Sequence, residues 1–111
     1  MIKKTDSVWN NDMTQQFAWA MTSIANEPDM QNFLRDVMTE KEIIEISGRL
    51  EAARMLTNGE KYTEITKRTK LSSRTIARIS DWLKNGSKGY AIALRIVTEN
   101  HHAHIQPARA K

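Results

Sequence analysis

Residues 61 to 85, KYTEITKRTKLSSRTIARISDWLKN, restrict the fold more than any other stretch of this chain. Tyr62, Ile65 and Thr69 fall at helical spacing, and Ile76, Ile79 and Leu83 form an i, i+3, i+7 apolar stripe, so two short helices each have one face to bury. Between them Ser72 stands where an N-cap belongs, with Leu71 and Ile76 at the N′ and N4 positions of a hydrophobic staple. A staple there would set the angle between the two helices. The outer face of the second helix would carry Ser73, Arg74, Ala77, Arg78 and Asp81. Helix N-termini and arginines suit phosphates, and arginine forks suit guanine edges. Two short helices, a sharp break and an exposed basic second helix form the pattern of a helix-turn-helix.

The charge distribution agrees. Residues 1 to 60 carry 6 basic and 10 acidic side chains, whereas 61 to 95 carry 9 basic and 2 acidic, so one segment is −4 and the other +7 within a net charge of +4. A solvated Lys/Arg face would give the same charge count. Its coincidence with a bihelical break points to a polyanion partner. At 111 residues and 40% apolar content, the chain is expected to form one small domain, near the size at which burial against a partner begins to matter. It has no cysteine, no apolar run of membrane-spanning length and no apolar signal core, so a cytoplasmic location is expected.

In chain order, Met1 to Ser7 is polar and expected to fray. Trp9, Met13, Phe17, Ala20 and Ile24 then recur at helical spacing, and Val8, Ala18, Met21 and Ala25 widen that face beyond what one neighbouring helix need cover. Ordinary core and a dimer interface both account for it. Pro28 suits the first turn of a second helix with Met30, Phe33, Leu34 and Val37 on one face. Thr39 and Glu42 have capping-box spacing, with Met38 and Ile43 placed for a staple, which predicts a third helix from about Glu40. It would turn Ile43, Ile46, Leu50 and Ala53 inward and stop near Asn58 and Gly59. After a break at Gly86 to Gly89, Tyr90, Ile92, Ala93, Leu94, Ile96 and Val97 predict a last helix. The reading is all-α: six helices, no strand, a single domain over 1 to 97 and a flexible tail over 98 to 111.

These residues carry a resemblance. FLRDVMTEKEI, ISGRLEAARML, NGEKYTEI and the RTIARISDWL helix followed by NGSKGY stand in the order and close to the spacing of the Trp repressor superfamily, and the chain resembles its small YerC/YecD-type members over about Met30 to Leu94. The resemblance implies an intertwined, all-helical homodimer whose N-terminal helices build one core. It also implies transcriptional control by binding operator-like double-stranded DNA as a two-fold dimer. Tryptophan-binding members hold the co-repressor between two arginines, which match Arg49 and Arg78 here. The glycine after the second arginine is replaced by Ile79 and the serine three positions on by Trp82, so tryptophan is not the expected effector, and any small-molecule effector is unidentified. Arg49 also has a simpler role open to it, an i, i+4 ion pair with Glu45. In the reading head, Lys70 stands where such turns commonly have glycine and Thr66 where they commonly have alanine.

The expected DNA contacts are Ser72, Ser73 and Thr75 at the helix N-terminus, Arg74 and Arg78 as the stronger contacts, and Lys67 and Lys70 on the backbone. Capping alone also accounts for Ser72, and core packing for Trp82. His101, His102 and His104 have no carboxylate or cysteine at ligand spacing, so neither a metal nor another cofactor is expected. No nucleophile and base pair, phosphate-cradling glycine loop or paired carboxylates stand out, so the chain does not read as an enzyme. A protein-interaction dimer and a non-specific nucleic-acid binder remain as alternatives.

Overall fold

The computed structural model describes residues 4–104, with side chains from 7 to 99. Among the described residues there are six α-helices and no strand: α1 (Asp12–Ser23), α2 (Glu27–Val37), α3 (Glu40–Thr57), α4 (Tyr62–Thr69), α5 (Ser73–Asn85) and α6 (Gly89–His104). A 3-10 helix over Lys4–Trp9 precedes them. The chain forms two compact units, residues 1–44 and 45–111, with α3 running from one into the other.

Local signals set most boundaries. Thr39 and Glu42 close the expected capping box: the Glu42 N–H donates to Thr39 Oγ1 at 3.1 Å, and the Thr39 N–H donates to Glu42 Oε1 at 2.8 Å. At the other end of α3, Gly59 takes φ +79. The Glu60 N–H donates to the Met55 carbonyl and the Gly59 N–H to that of Leu56, both at 3.0 Å, which is a Schellman stop. Ser72 caps α5, accepting from the Thr75 N–H at 3.1 Å.

Two boundaries differ from the periodicity. The first apolar helix does not include Trp9, because the Asn11 side chain accepts from the Met13 and Thr14 N–H groups and starts α1 after it. A local cap overrides the i+4 pattern there. At the other end, α6 continues past Val97 to His104, where a flexible tail was expected. No proline or glycine interrupts residues 98 to 104, and Pro107 is the first breaker. Residues 105–111, and the side chains of His101, His102 and His104, lie outside the described ones.

In the N-terminal unit, Asn26 caps α2 by accepting from the Asp29 N–H at 2.9 Å. Phe17 of α1 meets Phe33 of α2 with ring centroids 5.9 Å apart. Yet neither helix contains a buried residue. Met13 and Trp19 are each 72% exposed, and Val8, Trp9, Phe17 and Val37 are also exposed.

The C-terminal unit holds the buried residues. Ala52, Ala53 and Met55 of α3, Ile65 of α4, Leu71 of the turn, and Ile76 and Ile79 of α5 form one cluster, against which Leu56, Leu83, Tyr90 and Leu94 pack. The expected inward face of α3 is thus shifted: Ala53 is buried, but Ile46 is 52% exposed. Ala52 and Ala53, both fully buried, contribute small side chains to this cluster, which is closely packed around Ile65 and Ile76. Ile65→Ala should therefore cost about 2 to 5 kcal/mol, read as a lowered urea midpoint at unchanged slope.

Candidate nucleic-acid interface

The cluster seats the inner faces of α4 and α5, which leaves Ser73, Arg74, Ala77, Arg78 and Asp81 exposed on the outer face of α5. Lys67 and Lys70 are exposed as well, Lys67 standing 4.0 Å from Glu64. Six of the expected contacts are therefore solvent-facing: Lys67, Lys70, Ser72, Ser73, Arg74 and Arg78. Ser72 and Thr75 are bound to each other. The Ser72 hydroxyl accepts from the Thr75 N–H and donates to Thr75 Oγ1, both at 3.1 Å. Thr75 is half-buried and lines a cleft.

Lys70 adopts the left-handed conformation, φ 65 and ψ 10, and closes α4 by donating its N–H to the Thr66 carbonyl at 2.8 Å. This is the position where a glycine would be least strained. The lysine accepts the strain and places a cation at the turn.

The cleft beside Thr75 measures about 340 Å³ and is lined by Arg49, Thr75, Arg78, Ile79, Trp82 and Tyr90. The two arginines named for an effector thus share one cleft, although Arg49 also donates to Glu45 at 3.2 Å. Ile79 is buried, and Trp82 lies across the end of α5. A Cβ at Gly86 would stand 2.6 Å from the Trp82 carbonyl oxygen and also meet the indole, so glycine there permits the ring's position. Tyr90 contributes a hydroxyl whose pKa burial pushes above its ordinary value, with Arg49 opposing. Its place in the cleft follows from α6 returning to α5, which sequence spacing does not reveal.

Another contact lies outside any local motif. Glu51 accepts from Arg54 Nε at 2.9 Å and Nη2 at 2.7 Å, and from Arg68 Nε at 2.5 Å, so it joins α3 to α4. The Arg54 hydrogen bonds hold its carboxyl down at about 2 against an ordinary 4.5; partial burial opposes this, and Arg68 adds to it.

Comparison with known proteins identifies the arrangement. The family model of the Trp repressor protein matches residues 12–98. This chain belongs to the Trp repressor family. A Bacillus subtilis (strain 168) relative, the uncharacterized protein YerC, is 33% identical over 94 residues, covering 85% of this chain and 89% of its own. The crystal structure of a TrpR-like protein from Eubacterium eligens ATCC 27750 superposes with a TM-score of 0.74 at 30% identity, over 79% of this chain and 91% of the other. A putative Trp repressor from Staphylococcus aureus has the same fold, with a TM-score of 0.77 at 24% identity over 87% and 96% of the two chains. The family is one of helix-turn-helix DNA-binding regulators rather than of enzymes. No helix among the described residues is long and apolar enough to cross a membrane.

Two outcomes follow for this family member. Lys70→Gly should raise unfolding free energy by about 0.5 to 1 kcal/mol, the relief of left-handed strain exceeding the entropy that glycine adds to the unfolded chain, as chemical denaturation would report. The stabilisation from Glu51 should be complete above pH 4.5 and vanish as pH falls toward 2, because its folded-state pKa lies below its unfolded one. Urea titrations of wild type and Glu51→Gln should differ by about 1 kcal/mol near neutrality and converge in acid.

Proposed function

We propose that this protein is a cytoplasmic transcriptional repressor that binds operator-like double-stranded DNA as a homodimer through α4 and α5, without gating by tryptophan. The observation that carries the reading is the outer face of α5: Arg74 and Arg78 project from a helix whose other face is fixed by buried Ile76 and Ile79. Arg74 and Arg78 read base edges, Ser73 serves the helix N-terminus, and Lys67 and Lys70 contact phosphate. Ser72 and Thr75 hold the start of α5 and act on DNA through that geometry.

The dimer reading is supported by the N-terminal unit, where Trp9 and the α1 residues Met13, Phe17 and Trp19 are exposed and α1 and α2 contain no buried residue. A second copy is the covering surface such a face fits. The absence of tryptophan gating is supported by Ile79 and Trp82, two bulky side chains in the lining of the cleft that Arg49 and Arg78 share.

Selection from a randomised duplex pool at two salt concentrations, with and without tryptophan, tests the reading. A palindrome enriched equally in both arms is the expected result, and salt-sensitive binding with no enriched sequence would overturn it. Arg74→Ala should weaken the selected site by about 1 to 3 kcal/mol and relax one position, whereas Lys67→Ala should weaken all sequences alike. Sedimentation of the same variants should find dimers throughout.

A further inference from the structure

The basic side chains of α4 do not all face solvent in the same way. Lys67 and Lys70 are exposed, but Arg68, between them, donates its Nε to Glu51 Oε2, seventeen residues back on α3. The Glu51 side chain is 24% exposed and that of Arg68 is 64% exposed, so the carboxylate is the anchored partner and the guanidinium reaches to it. Glu51 does not need Arg68 for neutralisation, since Arg54, three residues along the same helix, already engages both of its oxygens. What the Arg68 bond adds is a link between helices.

That link also removes a cation from circulation. The first helix of a helix-turn-helix crosses the DNA backbone, and each guanidinium or ammonium available there adds a phosphate contact that carries no sequence information. Such contacts strengthen binding to every duplex alike, so they raise sequence-independent affinity and its salt dependence without adding discrimination. A charge-assisted bond to a half-buried carboxylate competes effectively with an exposed phosphate.

We propose that Glu51 is a positioning residue that limits sequence-independent DNA affinity: acting through Arg68, it fixes α4 on α3 and withholds the Arg68 guanidinium from the phosphate backbone. The inference rests on α4 and α5 being the DNA-reading head. Arg68 is then the basic residue of this segment that counts toward its charge but not toward its DNA contacts.

The test is the salt dependence of duplex binding by the full chain, measured on one fixed arbitrary sequence and on the selected site. Arg68→Ala should keep the wild-type slope of log Kd against log salt, whereas Lys67→Ala should make it shallower by about 0.9, the value of one phosphate contact. Glu51→Gln should make the slope steeper by about the same amount and, at low salt, tighten the selected and the arbitrary duplex alike, since the freed arginine joins the phosphate contacts. Asp36→Asn, which changes net charge equally but in α2, should leave both quantities alone. A merely structural Glu51 would lower thermal stability with slope and affinity unchanged, and that result overturns the proposal. So does an Arg68→Ala slope that falls as the Lys67→Ala slope does. If Glu51→Gln does not fold, Arg68→Ala decides alone, its side chain being mostly exposed. A wild-type chain without sequence preference removes the repressor reading, yet the slopes on the arbitrary duplex still show whether Arg68 is withheld; a chain that binds no duplex overturns both.

Discussion

The seating of Ile65, Leu71, Ile76 and Ile79 on Ala52, Ala53 and Met55 is the interaction on which the rest of the C-terminal unit depends. Each of α4 and α5 is too short to be stable alone, so its conformation is secured by the apolar face it buries. The same burial decides what remains outside. With Ile76 and Ile79 turned in, helical geometry obliges Arg74 and Arg78 to turn out. The exposed basic face of α5 is thus a consequence of the core to which Ala52 and Ala53 of α3 contribute.

Polar contacts then refine what the core positions. The Ser72 hydroxyl satisfies the first turn of α5 and binds Thr75, which converts two groups suited to DNA into fixtures of the helix start. Glu51 gathers Arg54 and Arg68 in the same way, so two guanidinium groups are held at one carboxylate. Lys70 runs the other way, accepting a strained backbone at a glycine position while keeping its ammonium exposed. Charge counts along a sequence miss these commitments because a paired and a free guanidinium contribute alike.

The N-terminal unit has the opposite character. Its helices are well capped, by Asn11 and Asn26, and its aromatic pair Phe17 and Phe33 is in place, but it lacks the closed apolar seat that stabilises α4 and α5. Exposed Trp9, Met13 and Trp19 give it the composition of a core without the burial of one. This is the physical content of the family resemblance at that end of the chain.

What the sequence by itself determined was local. The Thr39 and Glu42 capping box, the Gly59 stop, the Ser72 cap with its flanking Leu71 and Ile76, and the inward stripe of α5 each depend on residues a few positions apart, whose geometry the helix fixes. The family order of those motifs was legible for the same reason. Tertiary structure decided the rest: that Ile46 stays exposed while Ala52 and Ala53 are buried, that Thr75 turns into a cleft with Tyr90, and that Arg68 answers to Glu51. Such outcomes depend on which helices meet, and a pair seventeen residues apart carries no periodic signal of its meeting.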